Sequence, residues 1–75
     1  MKLSDLREKQ RARVVKIDNS LKHLKKRLSD MGFVKNEEIE VKRIAPFGDP
    51  IEISVKGYSL SLRKKEAEKI EVEEV

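Results

Sequence analysis

The sequence has no cysteine and no tryptophan, and it has a single histidine. Without cysteine there is no disulfide framework, no thiolate metal site and no cysteine nucleophile. A small fold without such staples must rely on its apolar core. His23 is the sole imidazole, so no Ser-His-acid triad is evident, and a metal site would need several converging ligands. No apolar run approaches the roughly 18 residues needed to cross a bilayer. The opening Met1-Lys2-Leu3-Ser4-Asp5-Leu6 lacks the apolar stretch of a signal peptide, so the expected location is the cytoplasm. Gly32, Gly48 and Gly57 stand alone, and none begins a phosphate-cradling loop.

What remains is a charged chain of 75 residues, with 43% charged and 37% hydrophobic positions. That length predicts one domain over residues 1–75. A chain this short buries only about 60% of the surface it exposes when unfolded, which leaves little room for a water-free active site. Paired catalytic carboxylates need a cleft that shifts their pKa values, and the acids here fall mostly on outward strand positions or in the tail. No catalytic residue and no cofactor are therefore assigned. The net charge of +4 is unevenly placed. Residues 1–36 carry eleven Lys and Arg against four Asp and Glu, and residues 37–75 carry seven against ten.

The apolar residues follow ordered patterns. Leu3 and Leu6 bracket one short turn, with both leucines inward. Gln10 to Ile17 reads as a strand, with Ala12 and Val14 on one face and Arg13, Val15 and Ile17 on the other. Asp18-Asn19-Ser20 ends it and offers capping oxygens. Leu21 to Met31 is the one clear helix. Leu21, Leu24, Leu28 and Met31 form a narrow stripe at about 100° per residue. Lys22, His23, Lys26 and Asp30 point the opposite way, and Lys25 and Arg27 flank the stripe. Gly32 suits a left-handed C-cap, after which Phe33 and Val34 turn back to the core.

The second half reads as short strands and tight turns. Lys35-Asn36-Glu37 is a turn. Glu38 to Ala45 alternates as a half-buried strand, with Ile44 out of phase. Two prolines and a glycine mark residues 46–50 as a loop. Ile51, Ile53 and Val55 alternate up to a two-residue Lys56-Gly57 hairpin, and Tyr58, Leu60 and Leu62 alternate after it. Arg63 to Lys69 is another single turn with Ala67 inward. Ile70 and Val72 make a last strand, and residues 73–75 are expected to fray. About five short strands are too few for a sandwich. They predict a mainly β fold, closed as a small barrel that hides its sheet edges, with one helix after the first strand.

Lys22, Lys25, Lys26 and Arg27 are the sharpest polar feature. They could meet phosphates, acidic lipid or an acidic protein surface, or face solvent alone. Nucleic acid is not the expected partner, because few exposed aromatics are available for stacking. Phe47 sits at the tip of the proline-bounded loop beside Asp49. An aromatic there either tucks over the barrel mouth, the preferred arrangement, or is offered to a partner.

The order and spacing of several segments resemble the bacterial ferrous iron transport protein A family. They are Leu28-Ser29-Asp30-Met31-Gly32-Phe33, Glu38-Ile39-Glu40-Val41, residues 45–53, Gly57 to Arg63, and Glu66-Ala67 before Ile70 and Val72. The resemblance covers nearly the whole chain. It implies an SH3-like barrel with a helical insertion. It also implies a cytosolic, non-enzymatic accessory of the membrane ferrous-iron transporter, whose cytosolic part binds GTP. The chain would then be peripheral to the membrane through its partner, by contacts at Lys22, Lys25, Lys26, Arg27, Phe47 and Asp49. Similar barrels also form domains of metal-dependent repressors, which keeps a metal-regulatory or nucleic-acid-binding module as the alternative. Exposed strand edges leave a homodimer open. Two positions depart from the family pattern: Arg7-Glu8-Lys9-Gln10 replaces a glycine turn, and Asn36 stands where glycine is usual.

Overall fold

The computed structural model describes residues 1–75. Strands β1 (Arg11–Ile17), β2 (Glu38–Ile44), β3 (Ile51–Val55), β4 (Tyr58–Leu62) and β5 (Ile70–Glu74) form one antiparallel sheet in the order β4-β3-β2-β1-β5. Helix α1 (Lys22–Asp30) joins β1 to β2, and a one-turn helix α2 (Lys64–Ala67) joins β4 to β5. The rolled sheet is the expected SH3-like barrel, but it does not close through hydrogen bonds. β4 and β5 remain its two edges, because α2 occupies the connection between them.

The core holds sixteen buried side chains, all hydrophobic, with Phe33 the largest of those fully enclosed. Alternation along β2 and β3 supplies Ile39, Val41, Ile51, Ile53 and Val55. Leu3, Leu6 and Ala67 face the core from the two short helical turns, as their spacing predicts. Ile17 departs from simple alternation. The β1–β5 register slips between Val14 and Lys16, and this bulge returns Ile17 to the buried face with Ala12 and Val14. A second slip between Val41 and Arg43 accounts for the phase change at Ile44.

Three further expectations need correction. Residues 73 and 74 do not fray. Glu73 and Glu74 pair with Arg13 and Ala12, and Arg13 forms an ion pair with Glu73 at 3.1 Å. A long-range partner strand, invisible to local pattern, extends β5. Val34 is 38% exposed rather than turned to the core, since Phe33 alone fills the space. Phe47 does not tuck over the barrel mouth. It is 96% exposed, because the core is already filled from the strands and its loop projects beyond them.

Backbone positions that need φ > 0 fall where the turns are. Asn36 takes φ 75° between α1 and β2. Lys9 takes φ 69°, so the turn before β1 keeps a left-handed residue even without glycine. The Lys9 N–H donates to the Val41 carbonyl at 2.6 Å, and the Glu8 carboxylate accepts from the Ile44 N–H at 2.8 Å. These bonds fix the turn to β2 in spite of the residue change.

Candidate interaction surface

α1 begins after a 3-10 turn at Asn19–Leu21 that Asp18 caps by accepting from the Ser20 N–H at 2.8 Å. Leu28 is the only fully buried residue of α1, while Leu21 and Leu24 pack partly against the core. The helix ends at Gly32, which takes φ 86°. A Cβ there would approach the Lys56 side chain at 3.0 Å, so the end of α1 lies against the β3–β4 hairpin.

The outward face of α1 presents Lys22, His23, Lys25, Lys26 and Arg27, all exposed. The five ion pairs of the chain join Lys2, Arg11, Arg13, Lys42 and Lys56 to glutamates on or beside the sheet. None involves a cation of α1. The charge order suits the helix dipole at one end only: Lys22 stands in a first turn that holds no acid, while Arg27 lies favourably in the last turn.

Between α1 and β1 lies a concavity of about 490 Å³. Val15, Ile17, Phe33 and Val34 contribute apolar surface, and Lys16, Lys25 and Lys35 add cations, with Glu71 as the one acid. Sequence pattern marks Lys25 but not Lys16, Lys35 or Val34. Lys16 comes beside the helix because α1 packs next to β1, and Val34 and Lys35 because the chain folds back after Gly32.

Phe47 and Asp49 lie elsewhere. Their loop joins β2 to β3 at the Ile44–Ile51 end of the sheet, whereas α1 enters at the Ile17–Glu38 end. Seven strand residues separate the two ends, about 20 Å at strand rise. The helix cations and Phe47 thus do not form one contiguous patch. Asp49 Oδ1 accepts from the Lys64 N–H at 3.0 Å, which anchors the loop to the start of α2 and leaves Phe47 projecting.

No three His, Cys, Asp or Glu side chains stand close enough together to hold a metal ion, and no helix is long and apolar enough to cross a membrane. The cap at the start of α1 also shifts the titration of Asp18. Its carboxyl is held below the usual value of 3.8, first by the hydrogen bond from the Ser20 backbone, then by the Ser20 side chain and by Lys69 and Lys16.

Comparison with known proteins is consistent along the whole chain. The family model described as the FeoA domain matches residues 1–74. A Fe(2+) transport protein A/Fe(2+) transporter FeoB fusion protein of Porphyromonas gingivalis is 38% identical over 73 residues, 97% of this chain. The match spans only 8% of the fusion protein. The iron(II) transport protein A of Clostridium thermocellum is 45% identical, with a TM-score of 0.89 over 100% of this chain and 46% of that one. FeoA of Chlorobium tepidum is 39% identical, with a TM-score of 0.89 over 100% of this chain and 70% of that one. FeoA of Stenotrophomonas maltophilia, described as a procaryotic SH3 domain protein and solved with zinc, is 32% identical. It gives a TM-score of 0.79 over 97% of this chain and 89% of that one. Family model, sequence relatives and solved structures each cover nearly the whole chain, and the protein belongs to the FeoA family associated with ferrous-iron transport.

Proposed function

We propose that this protein is a cytoplasmic accessory of ferrous-iron uptake that docks on the membrane ferrous-iron transporter, at its GTP-binding part, and modulates it. The observation that carries this reading is the Porphyromonas gingivalis relative, in which a domain like this one is joined in one chain to a transporter. Covalent fusion gives two domains a high effective concentration for each other, which is useful when they must meet. No catalytic residue is invoked. The barrel acts by binding one state of its partner better than another and shifting that equilibrium.

The unpaired cations Lys22, Lys25, Lys26 and Arg27, with the neighbouring concavity, make the main contact on this reading. They suit an acidic partner surface that carries an apolar anchor. Phe47, held out by Asp49, makes a second contact at the far end of the barrel.

Copurification with the full-length transporter tests this. Wild type should be retained on transporter-containing membranes. A Lys22→Glu/Lys26→Glu variant should be lost from them, and Phe47→Ala should weaken retention without changing the melting temperature. Equal retention of the charge-reversed variant would refute the helix contact. Absence of retention for wild type would refute the docking itself.

A further inference from the structure

The two edges of the sheet are treated differently. The outer edge of β5 is occupied by the N-terminus: Lys2 bridges to Glu71, and the Val72 N–H donates to the Met1 carbonyl at 2.8 Å. The outer edge of β4 has no such cover. β3 and β4 are joined by a two-residue hairpin, with Val55 opposite Tyr58, Ile53 opposite Leu60 and Ile51 opposite Leu62. In this geometry Tyr58, Leu60 and Leu62 exchange the ladder hydrogen bonds with β3. The N–H and C=O groups of Ser59 and Ser61 therefore point away from the sheet, and no turn or loop backbone group bonds to them.

The side chains along this edge add to the picture. Ser59 and Ser61 are exposed, Leu60 is half-buried and Tyr58 is 59% exposed. β4 itself carries no charge, bulge or proline, the usual protections of a free edge. Just beyond its Leu62 end come Arg63, Lys64 and Lys65, none of which takes part in an ion pair. Lys56 lies at the other end. Antiparallel pairing of β4 with a second copy would bring the Arg63–Lys65 cluster of one copy towards Lys56 of the other. Lys56 is already paired with Glu37 at 3.6 Å, so a second copy brings no free acid to meet that cluster.

We infer that the β4 edge accepts an extended segment of a partner protein as a sixth strand. The guest strand runs antiparallel to β4, has aliphatic residues beside Tyr58 and Leu60, and has acidic residues at its N-terminal end beside Arg63–Lys65. Main-chain bonds to Ser59 and Ser61 supply affinity, and the cations set direction and register. This surface is distinct from the α1 face, and the inference stands whether or not α1 meets the transporter.

The test uses the whole chain and an acetylated, amidated peptide of sequence Glu-Glu-Thr-Val-Thr-Val-Thr. Amide exchange and chemical shifts are followed by NMR. The Ser59 and Ser61 amides should become protected on addition of peptide, while the α1 amides stay unchanged. Ser59→Ala keeps the N–H and should bind like wild type. Ser59→Pro removes the outward donor, a change that edge strands tolerate, and should bind about tenfold more weakly. If Ser59→Pro does not fold, a peptide N-methylated at its central residues serves the same purpose on wild-type protein and should lose binding. Moving both glutamates to the C-terminal end of the peptide should weaken binding several-fold. Shifts confined to α1, no binding, or equal binding of Ser59→Pro or the N-methylated peptide would each overturn the inference. Protection of Ser59 and Ser61 that rises with protein concentration alone would also overturn it, by assigning the edge to a second copy.

Discussion

Lys9 holds a left-handed backbone conformation with a full side chain. Such a conformation costs a non-glycine residue about 1–2 kcal/mol, and glycine returns part of that gain as chain entropy in the unfolded state. Lys9→Gly should therefore raise the unfolding free energy by about 0.5–1 kcal/mol in urea titrations. A loss of stability would mean that the Lys9 stem contributes packing that outweighs the strain. Asp18 supplies a second residue-scale prediction. Its folded pKa lies below 3.8 because Ser20 donates to the carboxylate, which outweighs a small opposing effect of desolvation. The stability it contributes is fully present above the unfolded value and is lost as pH falls through the lowered folded value. Asp18→Asn should flatten the acid limb of stability below about pH 4, as read by thermal melts at stepped pH. An unchanged acid limb would show that the cap is not coupled to folding.

At the scale of elements, α1 is the one with conflicting demands. Its apolar stripe is thin, since Leu28 alone is fully buried, and its first turn carries Lys22 where an acid would be favoured. Lys22→Glu should stabilise the fold by about 0.3–1 kcal/mol while reducing retention on the transporter. Opposite signs in chemical denaturation and copurification would identify a residue kept for binding. Loss of both would make Lys22 a structural residue. β5 shows a different balance. Its last residues carry no inward apolar side chain, yet Glu73 and Glu74 pair with β1 and Arg13 meets Glu73. Removing residues 73–75 should cost roughly 1–2 kcal/mol and speed exchange of the β1 amides. An unaltered melting temperature would show that this pairing is dispensable.

The whole molecule is polarised by topology. The inserted helix and the β3–β4 hairpin share one end of the barrel, and the Phe47 loop and α2 share the other. Arg11 and Arg13 of β1 meet glutamates of β2 and β5, whereas the cations of α1 and the Arg63–Lys65 run form two clusters without an ion pair. On the docking reading, a barrel filled by sixteen apolar side chains acts through its exterior. Its ends and its one open edge are then the surfaces on which partners can be told apart.

Local pattern was enough to determine the number of strands, the single helix, the Lys56-Gly57 hairpin and most of the core. Each of these depends on periodicity or on turn chemistry within a few residues. The basic stripe of α1 was legible for the same reason, because residues three and four apart share a helix face. Tertiary structure decided what depends on distant partners. The β1–β5 register brought Ile17 inward and ordered Glu73 and Glu74. The fold placed α1 and Phe47 at opposite ends, and it left β4 uncovered while the N-terminus covered β5. Pairing across more than fifty residues leaves no periodic mark in either segment, so only the folded chain reveals which edge stays open.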